Sequence, residues 1–191
     1  MGRFFAELLG TFALALFGTV AIIVSLLCGG VITHVGIALT FVMAVLAMIY
    51  AFGNVSGAHL NLAVTAAFVL AGRLPRCWLA PYLAAQTSGA LAASAFLAWS
   101  FPQHPTLGAT VPAIADVPAY AFEVLLAGLP MSVVLHLVIG FQERGLLAGV
   151  AIGATVAMAA MFPGPVTGAS TNPARSPQPG WLGPGLTSRS T

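Results

Sequence analysis

Charge is what this sequence has least of. Only 5% of its 191 residues are charged, with four acids and six basic residues. Lysine is absent, so every basic residue is an arginine. A soluble domain carries roughly a quarter charged residues, so this composition cannot clothe a surface that faces water. The net charge of +2 is too small to mark a nucleic-acid partner, and four acids offer little to a divalent metal. Cysteine is almost as scarce. Cys28 and Cys77 fall, on the topology that arginine placement gives, on opposite faces of a membrane, so no disulfide is expected between them. No group of side chains has metal-ligand spacing, no nucleophile stands beside a base, and no phosphate loop is present. No catalytic residue, metal or cofactor is therefore expected. What fills the chain is apolar, at 59% hydrophobic and a mean hydropathy of +1.01. These numbers describe an all-α integral membrane protein surrounded by lipid.

A bilayer crossing takes about 20 apolar residues. Five stretches reach that scale: roughly 5–27, 34–52, 78–100, 118–140 and 145–162. The first is too long, and too continuous with the rest of the chain, for a cleaved signal peptide. Gly29-Gly30 separates the first pair, and Gly53-Asn54 ends the second stretch. The piece 61–71 is apolar but spans only ~16 Å at helical rise. Such a helix enters and leaves a membrane by one face.

Arginine placement orients the chain. Arg3 precedes the first span, Arg73 and Arg76 follow the half-helix, and Arg144 lies between the fourth and fifth. If 61–71 does not cross, all four lie on one side, and the opposite connections 28–33 and 101–117 hold no basic residue. The positive-inside rule then makes the N-terminus cytoplasmic. The same arithmetic makes the second half an inverted copy of the first, a plan found in many transport proteins. Repeat one covers about 3–100 and repeat two about 118–176, the second incomplete. Glu7 and Glu123 occupy matching places near the start of each half. Small residues recur at packing spacings, as at Gly149 and Gly153.

Two short stretches say nearly the same thing. The first is Ser56-Gly57-Ala58-His59-Leu60-Asn61-Leu62-Ala63-Val64-Thr65, and the second is Thr167-Gly168-Ala169-Ser170-Thr171-Asn172-Pro173-Ala174-Arg175-Ser176. In both, small residues lead into an Asn followed by helix formers, which reads as an N-cap with its helix behind it. Pro173 suits the first helical position, where no N–H is needed; Leu62 stands there in the first copy. Half-helices from opposite faces would bring two N-termini together at mid-membrane, each carrying roughly half a positive charge. The amides of Asn61 and Asn172 would supply donors there. The loops Gly57-Ala58-His59 and Gly168-Ala169-Ser170 would supply carbonyl acceptors. Such a file conducts neutral hydrogen-bonding molecules and repels cations. One such Asn alone would read as an ordinary cap in a packed bundle. Arg175, whose counterpart is Val64, is an intramembrane charge with a functional reading, against a plain alternative of snorkelling to the interface.

These paired boxes resemble the Asn-Pro-Ala loops of the major intrinsic protein family, the aquaporins and aquaglyceroporins, from about Arg3 to Ser176. The resemblance implies an aquaporin-like inverted repeat with five spans, one complete re-entrant half-helix and a truncated second one. The pore motif would be Asn61, Leu62 and Ala63 with Asn172, Pro173 and Ala174. Counting from the motif asparagines as the family does, the outer constriction would be Phe41, Ala160, Ala169 and Arg175. Water-strict members carry histidine at the place of Ala160, so two alanines imply a wider ring, nearer the glycerol and uncharged-metalloid channels. Phe41 by itself would also suit a core aromatic. Glu7 and Glu123 would accept hydrogen bonds from the re-entrant loops, with a proton relay as the alternative. His59 would line the cytoplasmic half of the pore, and His136 is equally consistent with a packed histidine.

The tail departs from the family. Pro177, Pro179 and Pro184 rule out a continuing helix, so residues 177–191 are expected to be irregular and exposed, beside a groove left by an absent sixth span. The expected function is a passive channel in the plasma (inner) membrane for water and small neutral solutes, excluding ions and protons, and a homotetramer if complete. Two other readings stand: a non-conducting truncated remnant, and a secondary transporter with broken helices.

Overall fold

The computed structural model describes residues 1–104, 106–108, 113–139, 146–162, 164–167 and 172, and among these it contains helices and no strand. In chain order they are α1 (Gly2–Leu27), α2 (Thr33–Ser56), α3 (Leu62–Leu70), α4 (Leu79–Ser100), α5 (Asp116–Ile139), α6 (Leu146–Met161) and the single turn α7 (Gly164–Thr167). A short 3-10 turn, Arg76–Trp78, leads into α4.

All five apolar stretches are helical, and the sixth piece is short. Three segments have the length and composition to cross a membrane: Gly2–Leu27, Thr33–Ser56 and Val117–Leu137. At 22 residues α4 is long enough, but Gln86, Thr87, Ser88 and Ser94 lower its hydropathy. At 16 residues α6 spans ~24 Å. With nine residues, α3 reaches ~14 Å. The one-turn helix α7 stands where the sequence suggests only loop, and Ala113 N donates to Val166 O at 2.9 Å to brace it. The reading of 177–191 as an exposed tail lies outside the described residues.

Small residues set the packing. A Cβ at Gly89 of α4 would overlap the Leu8 carbonyl oxygen of α1, so the two backbones touch there. Ala85, Ala90 and Ala93 are buried along the same helix. In lipid there is little hydrophobic drive between helices, so such close approach supplies the attraction through van der Waals contact. Helix α1 also packs on α2, with Gly18 leaving room for the Phe41 ring. Gly149 and Gly153 of α6 receive Tyr50 and Leu46 of α2. Helix α5 packs on α6 and touches α3 and α7. Cys28 and Cys77 are both free and exposed.

Candidate functional site

The first motif is built on strained backbone. Helix α2 ends at Gly57 with φ +88°, and Ala58 and Leu60 follow at φ +46° and +53°. Each left-handed non-glycine residue costs roughly 1–2 kcal/mol, so something must hold the loop. That something is Glu7, wholly buried on α1. Its Oε1 accepts from Ser56 Oγ at 2.6 Å and His59 N at 2.9 Å, while Oε2 accepts from Leu60 N and Gln86 Nε2, both at 2.8 Å. Hydrogen bonds to a charged group are worth about 1.5–3 kcal/mol each, so three of them to this loop outweigh its strain. Four donors occupy the four acceptor positions of an ionised carboxylate.

Ser56 Oγ accepts in turn from Ala58 N at 3.0 Å, and Tyr82 donates its hydroxyl to Ser56 O at 2.7 Å. The N–H groups of Ala58, His59 and Leu60 are therefore all turned onto Ser56 and Glu7. Asn61 comes next in extended conformation and caps α3, its Oδ1 accepting from Ala63 N at 2.8 Å. Leucine at position 62 thus coexists with an intact cap. With Oδ1 committed to the helix, the Asn61 side chain has only its NH2 to present elsewhere.

The second motif meets the first through Asn172. It is buried, and its Nδ2 donates to Leu60 O at 2.9 Å. Leu60, the residue immediately before Asn61, thus receives the second motif's asparagine on its carbonyl.

Both asparagines line one cavity of about 400 Å³. Gly57, Ala58, His59, Leu60, Ala63 and Val64 form one stretch of its wall. Phe41 of α2 and Ala160 of α6, the sequence-derived constriction residues, also line it. His34 also lines it, its Nε2 donating to Met161 O at 3.0 Å, with Gly164 beside it. Most of the remaining wall is aliphatic, from α1, α2, α5 and α6. Pro130 of α5 lines it one turn after Leu126, whose carbonyl lacks a helical donor because proline has no N–H. A largely apolar cavity with asparagine side chains and a motif loop in its wall can take small uncharged molecules that form hydrogen bonds.

Other sequence-derived residues fall elsewhere. Glu123 is half-buried on α5. His136 is exposed, its ring bonded to Ser132 O at 2.7 Å. Gly168, Ala169, Ser170, Pro173, Ala174 and Arg175 lie outside the described residues. The sequence reading missed Ser56, Thr65, Tyr82, Gln86 and Gly108. A glutamine in the middle of an apolar span was a usable signal for Gln86, since a buried amide needs partners. Gly108 reaches the cavity wall by lying against Thr19 and Ile23 of α1, which no local pattern announces.

Among the described residues no group of three or more metal-ligating side chains occurs. A family model described as "Major intrinsic protein" matches residues 1–186. The chain is 44% identical over 174 residues to Aquaporin NIP1-3 of Oryza sativa subsp. japonica, covering 90% of this chain and 60% of that one. It is 35% identical over 178 residues to Nodulin-26 of Glycine max, covering 93% of this chain and 66% of that one. The chain therefore spans 60% to 66% of these curated relatives. In fold it is similar to the X-ray structure of the aquaglyceroporin from Plasmodium falciparum, with a TM-score of 0.77 and 24% identity, over 94% of this chain and 79% of that one.

Proposed function

This chain belongs to the major intrinsic protein family, and from that we propose that it forms a passive transmembrane channel for water and small neutral solutes. The observation that carries the proposal is the bond from Asn172 Nδ2 to Leu60 O at the wall of the shared cavity. It links the two motif loops beside the start of α3, whose dipole presents positive charge. Neutral molecules can exchange hydrogen bonds with the loop carbonyls and asparagine amides there. A cation or a hydrated proton meets the positive helix end without a counter-ion, and is rejected.

The solute class proposed is glycerol-like or an uncharged metalloid species. Phe41 and Ala160 support this, because alanine at 160 leaves width and adds no donor. In this reading Ala169 and Arg175 complete the constriction, and the N-terminus lies in the cytoplasm with Arg3, Arg73 and Arg76. The saturated carboxylate of Glu7 supports a holding role over a proton relay, and so favours a channel over a proton-coupled transporter.

The test is reconstitution into liposomes, with water and glycerol entry followed after an osmotic step, with and without a proton gradient. Entry of both that ignores the gradient is the expected result. Uptake driven by the gradient would make the protein a transporter, and no flux would end the channel reading. The variant Asn172→Asp places a carboxylate at the positive centre and should admit cations. Intact water flux without new ion conductance would remove Asn172 from the pore.

A further inference from the structure

The hydrogen bonds behind the first motif run in one direction only, and that direction ends at the cavity wall. Glu7 accepts from four donors, so the Gln86 amide must turn its NH2 toward it. The second hydrogen of that NH2 goes to Thr65 Oγ1 at 2.9 Å. Thr65, wholly buried on the first turn of α3, is thereby an acceptor toward Gln86. Its one hydroxyl hydrogen has two possible destinations: Asn61 O at 3.1 Å and His59 Nδ1 at 3.2 Å.

Counting settles between them. A hydroxyl has one hydrogen and two acceptor positions. If the hydrogen goes to His59, the contact with Asn61 O is lost and one acceptor position on Thr65 is left empty. If it goes to Asn61 O, His59 donates from Nδ1 and all three contacts are made. In a buried site, the fully paired arrangement is favoured.

We propose that Gln86 and Thr65 are positioning residues that hold His59 as the neutral tautomer protonated on Nδ1, so that its Nε2 is a fixed acceptor toward the permeating solute. The ring is clamped for this. Its centroid lies 4.4 Å from that of Phe68 and 5.2 Å from that of Tyr82. The edge bearing Nε2 lies beside Gly57, and His59 and Gly57 both line the cavity. Nε2 has no hydrogen-bond partner among the described residues. Solutes rich in hydroxyl hydrogens, such as a polyol, gain a partner there. The consequence for permeation rests on the channel reading above; the tautomer does not.

The experiment is solid-state 15N NMR of the full chain in bilayers, labelled at the imidazole nitrogens. The signal common to the single variants His34→Asn, His104→Asn and His136→Asn belongs to His59. A neutral ring protonated at Nδ1 is expected; protonation at Nε2, or at both nitrogens, overturns the proposal. Thr65→Val removes the acceptor at nearly constant volume and should move the proton to Nε2, while Thr65→Ser should restore Nδ1. A Thr65→Val spectrum like that of the wild type would also overturn it. In liposomes Thr65→Val should lower glycerol entry several-fold more than water entry, and Thr65→Ser should recover the ratio. An unchanged ratio with the tautomer moved would overturn the solute-acceptor role. Absence of any wild-type flux would instead count against the channel reading and leave the tautomer assignment standing.

Discussion

Helices α1 and α5 hold matching places in the two sequence halves, each with a glutamate near its start, yet they are treated differently by the fold. Ten residues of α1 are buried, including Glu7. Between residues 117 and 137 of α5 only Ala119 is buried, and Glu123 is half-buried. The difference lies in their neighbours. Helix α1 is gripped by α2 and α4 together, and α4 comes to backbone contact at Gly89. Helix α5 packs mainly on α6 and leaves Val117, Tyr120, Leu125 and Leu129 exposed. Among the described residues, burial follows what packs on each element, and Glu7 is reached by donors from α2, from the loop after it and from α4.

The sharpest way to test the α1 side of this contrast is to remove Glu7. Each buried donor left unpaired costs about 1–3 kcal/mol, and four donors depend on Glu7. Glu7→Ala should therefore lower stability by about 4 kcal/mol or more. Thermal unfolding in detergent checks it, and a loss below about 1 kcal/mol would mean that Glu7 is not what holds the loop. The glycines sharpen it next. Gly89→Val forces α1 and α4 apart and should cost about 1–3 kcal/mol. Gly128 of α5 has nothing within 4 Å of a built Cβ. Gly128→Ala should instead gain about 0.5–1 kcal/mol from helix propensity. A destabilised Gly128→Ala protein would mean that α5 is packed more tightly than its exposure indicates.

At the proposed constriction, Ala160→His adds bulk and a donor to the cavity wall. It should reduce glycerol entry more than water entry in liposomes; equal effects on both would remove Ala160 from the selective ring. The smallest expected effect is at the one motif position where the two copies differ. Leu62 stands behind an intact cap, and proline suits that place. Leu62→Pro should raise stability by a few tenths to about 1 kcal/mol, chiefly by restricting the unfolded chain. The check is a slightly higher unfolding midpoint with transport retained. Loss of folding would show that the loop needs the Leu62 N–H.

Composition and pattern alone determined a good deal. Apolar stretches of sufficient length have to become helices in lipid, because no water is there to pair the backbone. An apolar piece half that length, preceded by Asn61, has to be a short capped helix, since cap and length are both local properties. The paired motifs likewise carried the family on their own residues. Tertiary structure decided the rest. That Glu7 holds the Asn61 loop depends on α1 lying beside that loop. That Ser56 and Gln86 bond that carboxylate, with Tyr82 and Thr65 bonded behind them, depends on α2, α3 and α4 converging there. Gly108 reaches the cavity only because it lies against Thr19 and Ile23 of α1. Hydrogen-bond direction is the extreme case, because whether His59 donates or accepts at the wall is set by a chain of partners on three other helices. No spacing along the sequence encodes that, since a side chain's polarity is fixed by its neighbours in space.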